Sequence, residues 1–582
     1  MAARTSNRSG LLLTLPYLLF FALFVLYPLL FALGLVFTNW DMIRPARFVG
    51  LKNFAILLTD SVFWQALWNT VKFLVVHITL QLCVALGIAL VLNRKIALRG
   101  LFRTAFFLPV VVSGVVVTIL WKQIYDTDTG LLNQLLGSLG ASPVAWLTHP
   151  ALSMPAIAVM ATWKNVGFYV VLFLAGLQNI PSSLYEAADV EGASGGEKFR
   201  TITLPMLSPV IFLVLVLSTI NGFKLFVEPY VMTGGGPDNS TISMVLYLYK
   251  QAFDYQHMGY SATLGFALAA FILLVVMVQR RFLERDYLSF GWLPVPTRAL
   301  SLLPAGLRVP RAARKAILYG LLALAALVFV YPFLWMITAT FRAPGQPLSP
   351  NPFAGFGAMT LENYRILFRS VPLARSFLNS VLVTGLVTGS VLVFGAMVGY
   401  ALARLEFRGK RAVGALILVT MMVPGELLLI PLYSLIAKLG WPNSYQALIL
   451  PFALNAMSIL MFKQFFVGVP EGLSEAARVE GCSELGILFK VFLPLSRPVF
   501  ITVGIITFVG SWNEVLWPLI VIKDPAMMTL PQAVTLYAVG QAAGDVGVQL
   551  AGALILSLPV VLAYLFFQRY FIEGMATSGL KG

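Results

Sequence analysis

Charge is scarce in this chain. Of 582 residues, 11% are charged, whereas a soluble globular protein carries about 25%. No polar stretch is long enough to fold as a separate catalytic domain between the apolar runs. Cysteine is nearly absent: Cys83 lies in a hydrophobic run and Cys482 in a polar loop, so no disulfide framework is implied. Histidine occurs three times, as His77, His149 and His257, too scattered for a metal set or an acid–base pair. No G-x-x-x-x-G-K-[ST] loop is present, and Gly195-Gly196-Glu197-Lys198 lacks its spacing, so the chain is not expected to bind ATP. No catalytic residue, metal or cofactor is called for.

What is abundant is apolar sequence, with 59% hydrophobic residues and a mean hydropathy of +0.87. Runs of about 18 or more apolar residues mark spanning helices. Twelve are read, at roughly 11–37, 68–93, 101–124, 151–177, 206–230, 262–282, 316–341, 378–403, 412–435, 444–468, 499–522 and 547–571. The expected class is an all-α integral membrane protein of two six-helix repeats. The first run follows Arg4 and Arg8 and is too long for a signal-peptide core, so it reads as a retained helix.

The net charge of +16 follows membrane sidedness and is no sign of nucleic acid. With cytoplasmic termini, the inside segments hold roughly 25 Lys and Arg and the outside loops roughly 10, as the positive-inside rule requires. Segment 342–377 departs from the rule with Arg342, Arg365, Arg369 and Arg375.

One polar pattern of 24 residues occurs twice without a gap. Glu186-Ala187-Ala188-Asp-Val-Glu-Gly192 runs on to Leu204-Pro205 and Pro209. Glu475-Ala476-Ala477-Arg-Val-Glu-Gly481 runs on to Leu493-Pro494 and Pro498, every position displaced by 289. Other landmarks recur in order: Tyr27-Pro28 with Tyr331-Pro332, Asn53 with Asn363, Asn69 with Asn379, and Arg99-Gly100 with Arg408-Gly409. Similar hydropathy explains equal helix counts but not a constant offset with matched Glu, Gly and Pro. The reading is duplication or fusion: a first domain at 1–282, a Pro- and Arg-rich cytoplasmic linker at 283–313 and a second domain at 314–582. Six helices return each half to its starting side, giving parallel repeats.

Each polar repeat is expected to hold a helix of about two turns. Ser183 stands three residues before Glu186, the spacing of a capping box, and Gly472 takes Ser183's place in the second copy as a weaker cap. Gly192 and Gly481 close the helices. The paired alanines offer a low surface for another protein. The alternative, a helix lying on the lipid surface, suits Lys and Arg better than these acidic segments.

These residues resemble the loop of binding-protein-dependent ABC importer permeases. The resemblance covers nearly the whole chain. The first half is similar to the larger permease subunit of the maltose-transporter type, in Trp163-Lys164, Gly167-Phe168-Tyr169, Gly176-Leu177-Gln178 and the run from Tyr230 to Pro237. The second is similar to the smaller subunit, in Tyr331–Trp335, Ala401–Arg404, Pro424-Gly425, Ile430–Tyr433 and Ser511–Glu514. The resemblance implies a type I ABC importer permease fold with two carbohydrate-uptake subunits fused. It further implies that Glu186–Gly192 and Glu475–Gly481 each dock one of two ABC ATPase subunits, or the two faces of a homodimer. An external binding protein would deliver the solute. Glu191 and Glu480 stand where the family usually has Asp, and Cys482 where Ala is common. A large external domain of some relatives is lacking.

An ionisable group in hydrocarbon costs on the order of 3 kcal/mol and is a candidate for function. Lys164 falls roughly 20 Å along its helix at about 1.5 Å per residue, near mid-membrane. Lys72, Lys122 and Lys463 lie near helix ends and can snorkel. Asn221, Lys224 and Glu228 share one face of a continuous helix, with Lys224 and Glu228 placed to pair at i,i+4. With Tyr169, Asn513 and Glu514 they form the expected pathway for a polyhydroxylated solute; interhelical bonding is the competing role. Lys164 and Lys224 leave room for a phosphorylated solute. An ion-coupled secondary transporter using Lys164, Glu228 and Glu426 is the alternative, but it gives no reason for two docking loops.

Overall fold

The computed structural model describes residues 2–94, 96–285, 311–346, 351–352, 359–540 and 545–578. The linker expected at 283–313 lies almost entirely outside them. Among the described residues the chain is helical, with one isolated bridge between Thr38 and Phe48.

Twelve membrane-length passages are present only when bent pairs are counted as single passages. In chain order the helices used below are α1 (Asn7–Leu35), α2 (Ser61–Leu92), α3 (Arg99–Val111), α4 (Gly114–Ile124), α5 (Pro150–Gln178), α6 (Ser182–Val190), α7 (Ser208–Phe223) and α8 (Met258–Arg285). The second half continues with α9 (Arg311–Ala339), α10 (Leu373–Arg404), α11 (Lys410–Met422), α12 (Ala456–Val467), α13 (Glu471–Val479), α14 (Arg497–Trp512) and α15 (Val546–Ser578).

Five expected spans are not straight. The third passage of each half breaks at one place, bending 96° between α3 and α4 and 91° between α11 and Gly425–Lys438. The cause is local: Val112 and Val423 are extended, and each is followed by a residue unsuited to continue the helix and then by glycine, Ser113-Gly114 and Pro424-Gly425. This also corrects the landmark pairing. Left-handed Leu98 and Gly409 precede two 13-residue helices, so Arg99 is equivalent to Lys410 rather than to Arg408.

The halves are interleaved. α1 packs on α10, and α9 packs on α3, so the first helix of each half lies on the other half. Tyr17 Oη and Thr420 Oγ1 meet at 2.9 Å, and Trp163 Nε1 donates to Val328 O at 3.2 Å. Lipid offers no hydrophobic gain for helix contact, so such hydrogen bonds and small residues hold a membrane bundle together. Gly167 shows the second device: a Cβ there would lie 2.2 Å from Phe106 O, so α5 approaches α3 only because that atom is missing.

The matched asparagines are matched staples. Asn53 Nδ2 donates to Val36 O and Thr38 O, and Asn363 Nδ2 to Thr340 O and Arg342 O. Asn69 Nδ2 donates to Asn239 O and Ile242 O, and Asn379 Nδ2 to Ala526 O and Met528 O. All four are buried, where a two-donor amide satisfies loop carbonyls that hydrocarbon cannot.

Candidate functional site: two loop helices and a cavity between the halves

The repeated polar segments form α6 and α13, each nine residues long. They begin one residue before the expected cap positions, behind Pro181 and Pro470, with no side-chain cap. Ser183 and Gly472 are therefore not caps. The capping box sits one helix later, where Ser194 Oγ accepts from Glu197 N and Ser194 N donates to a Glu197 carboxylate oxygen at 2.6 Å.

Both helices end as the glycines require. Gly192 has φ +75° and Gly481 φ +82°. The amide after each reaches back to the helix, Ala193 N to Ala188 O at 2.9 Å and Cys482 N to Ala477 O at 3.0 Å, which closes a Schellman turn.

The faces differ from expectation. Ala188 and Ala477 are buried against the protein, while Glu186, Ala187, Glu475 and Ala476 are exposed. The exposed apolar stripe is Leu184, Ala187 and Val190 on α6, and Leu473, Ala476 and Val479 on α13. Val190 and Val479 are 90% and 89% exposed. Sequence reasoning passed over the two leucines and two valines, although they recur at the same 289-residue offset.

Between the halves lies a cavity of about 890 Å³, within the range of small-ligand sites. It is built where helices break. α7 ends at Phe223, Lys224 caps it, and the chain turns before a short helix, Val227–Met232. α14 ends at Trp512 with Asn513 as its cap, exactly 289 positions later, before Leu516–Val521. The expected single helix face through Asn221, Lys224 and Glu228 is thus interrupted, and the i,i+4 pair does not form. Lys224 instead pairs with Glu426 of the other half at 3.6 Å.

Tyr169, Asn221, Lys224, Glu228, Asn513 and Glu514 all line the cavity. Lys164 does not. Lining residues not anticipated include His77, Asn165 and Asn455, together with Glu426, considered before only for ion coupling. His77 stacks on Phe73 and shares a hydrogen bond with Thr162 Oγ1 at 2.9 Å. Among the described residues, Glu426 Oε2 and Asn513 Oδ1 are buried without a hydrogen-bond partner. Unfilled acceptors among aromatic rings suit a ligand that brings hydroxyl donors.

Together, the duplicated bundle, the paired loop helices and the cavity between the halves define a membrane permease of two homologous halves. The family described as binding-protein-dependent transport system inner membrane component matches residues 81–286 and 392–576, more than half of the sequence, and the chain belongs to it. It is 38% identical over 273 residues to the arabinooligosaccharides transport system permease protein AraP of Bacillus subtilis, covering 46% of this chain and 86% of that one. It is 38% identical to the lactose transport system permease protein LacF of Rhizobium radiobacter, covering 47% and 92%. It is 36% identical to the trehalose/maltose transport system permease protein MalF of Thermococcus litoralis, covering 46% and 90%. A crystal structure of a bacterial ABC transporter that imports the acidic polysaccharide alginate matches 47% of this chain and 93% of its own, at 24% identity and a TM-score of 0.41. Each relative is nearly spanned by under half of this chain, consistent with two fused permeases.

Proposed function

We propose that this chain forms the whole translocation pathway of an ATP-driven saccharide importer in the cell membrane, with α6 and α13 on the cytoplasmic side. Each loop helix docks one subunit of an ATPase pair, an external binding protein delivers the solute on the opposite face, and both termini are cytoplasmic. The observation that carries this reading is the cavity between the halves, lined by paired helix ends and accompanied by two loop helices of one design. Hydrolysis in the ATPases would move the loop helices, and the helices attached to them would turn the cavity from one side to the other.

The cavity also favours a class of solute. Its lining charges are Lys224 against Glu228, Glu426 and Glu514, with Lys164 outside the lining and Lys224 already facing Glu426. An anionic solute would meet more carboxylates than cations in a low-dielectric site. A neutral saccharide, with rings stacked on Phe168 or Phe452 and hydroxyls on Asn165, Asn221 and Asn455, fits the inventory better than a phosphorylated one. The names of the relatives point to saccharides too.

The test is reconstitution of the full chain in vesicles with its ATPases and binding protein. Uptake should need ATP, survive collapse of ion gradients and favour neutral over phosphorylated saccharides. Uptake by this chain alone on an ion gradient would sink the proposal and favour secondary transport.

A further inference from the structure

The broken passages that line the cavity reach into each other's half. Lys224, which caps α7, lies 3.6 Å from Oε1 of Glu426. Glu426 belongs to the short turn Gly425–Leu428, which follows the break in the third passage of the second half. Asn513 caps α14 at the position equivalent to Lys224, and its Nδ2 donates to Val111 O at 3.5 Å. Val111 is the last residue of α3 before the break in the third passage of the first half. One contact is thus made twice: a cap residue of one half meets the third-passage break of the other.

The two contacts differ in chemistry. Glu426 follows Pro424-Gly425, and the residue that follows Ser113-Gly114 is Val115, which is fully buried. One contact therefore joins a cation to a carboxylate, and the other an amide to a carbonyl. An amide serves the fold in the second place, so the charges in the first are not a demand of the architecture.

The ionic contact is also unsaturated. A charge-assisted N–H···O bond closes to about 2.7–2.9 Å, and the gap here is 3.6 Å. Among the described residues, Glu426 Oε2 is buried with no hydrogen-bond partner, while Lys224 leaves 36% of its side chain exposed at the cavity wall. A pair this far buried resists separation, because each charge loses its counterpart before it regains full hydration. Both partners sit at element ends, where a chain absorbs the rotations of a hinge. The pair therefore spans two points that must move when the cavity changes sides.

A hydroxyl supplies what the pair lacks. It accepts from an ammonium and donates to a carboxylate at the same time. A phosphate dianion brings only acceptors to a place whose free group is itself an acceptor, and an apolar solute brings neither.

We infer that Lys224 and Glu426 form a latch between the halves that the solute opens. A solute hydroxyl enters the gap, accepts from Lys224 Nζ and donates to Glu426 Oε2, and the two breaks then part without stranding either charge. The inference rests on the reading of the cavity as the solute's path.

The full chain is reconstituted with its ATPases and binding protein, and ATP hydrolysis is measured with no solute present. K224Q and E426Q should each raise this solute-free hydrolysis roughly tenfold, the lower end of measured coupling between close charges, and the swap K224E/E426K should return it to within about twofold of wild type. A bridge that only held the fold together would give single variants with less inserted protein and less hydrolysis, which overturns the latch. Raised hydrolysis that the swap does not restore assigns the effect to lost packing and overturns it too. Uptake is assayed in the same vesicles with lactose, maltose, trehalose and arabinooligosaccharides. ATP-dependent uptake by wild type, with solute-free hydrolysis unchanged in both single variants, overturns the latch and leaves the transport reading standing. A wild type without ATP-dependent uptake overturns that reading and the latch with it.

Discussion

The loop helix of the first half carries Asp189 where that of the second carries Arg478, and each neutralises itself differently. Asp189 pairs with Lys198, and Tyr185 Oη meets Thr203 Oγ1 at 2.8 Å, so these contacts of the first loop stay within its own segment. Arg478 Nε donates to Glu484 at 2.8 Å, and the same carboxylate accepts from Tyr400 Oη of α10 at 2.6 Å. One turn further along, Arg404 of α10 donates to Phe466 O at 2.6 Å and to Val469 O just before α13. The two loops share a frame of turns and glycines, and the second is tied by charged hydrogen bonds to a membrane helix. What duplication preserved is the shape of the loop helix; what diverged is the set of contacts behind it.

The largest expected effect tests the shared part. If Val190 and Val479 are the centres of two docking surfaces, Val190→Asp and Val479→Asp each place a charge in a desolvated contact. Loss of a central anchor is worth about 2 kcal/mol or more, roughly thirtyfold in affinity. ATPase association measured in detergent should fall by that factor for either variant, with the chain still inserted. A defect in only one would show that the loops are not equivalent sockets.

Next comes the wiring. Tyr400→Phe removes one charge-assisted hydrogen bond between α10 and the second loop, worth about 1.5–3 kcal/mol. ATP hydrolysed per solute carried should rise several-fold, while Tyr185→Phe, which touches no charge and no membrane helix, should change the ratio little. Equal effects of the two substitutions would mean that the tie to α10 plays no part in coupling.

Gly192→Ala and Gly481→Ala sharpen the comparison from the other side. Neither site has an atom within 4 Å of an added Cβ, but both have positive φ, so the cost is conformational and about 1 kcal/mol in each. Hydrogen exchange across α6 and α13 should accelerate by a similar factor in both. A strong asymmetry here would place the difference between the halves in the turns and not in the wiring.

Local features were legible in the sequence and relational ones were not. The glycine stops of α6 and α13 depend on a few neighbouring residues, and spacing reveals them. The twofold arrangement of Asn53 with Asn363 and Asn69 with Asn379 survived because each amide has one job in both halves. The breaks after Phe223 and Trp512 coincide with polar residues, Asn221, Lys224 and Glu228 and then Asn513 and Glu514. These read equally as pathway groups on an unbroken helix, because Leu225, Phe226, Val515 and Leu516 beside them are apolar. Lys224 and Glu426 meet across the cavity although about two hundred positions separate them, so Glu228, four residues away, was the nearer but wrong partner. The alanines of the repeat misled for a related reason. A small residue suits close packing on either face of a short helix, and only the bundle behind α6 and α13 decides that Ala188 and Ala477 turn inward.

The smallest expected effect concerns a device present in one loop alone. Glu197 closes the capping box with Ser194, and the hydrogen bond from the Ser194 amide holds its carboxyl below the ordinary range near 4.5. A carboxyl lowered in the folded loop binds its proton less tightly there than in the opened loop. Its contribution is therefore complete above pH 4.5 and fades as pH falls through the lower folded value. In the second loop Gly486 occupies this position, and Ser483 caps Gly486 N without a carboxylate in return. Hydrogen exchange over Ser194–Lys198, corrected for intrinsic rates, should thus lose protection modestly between pH 7 and pH 4 and more steeply below, and Glu197→Gln should flatten that dependence. If the variant keeps the same pH dependence as wild type, the acid response belongs to another group and the box is only a geometric cap.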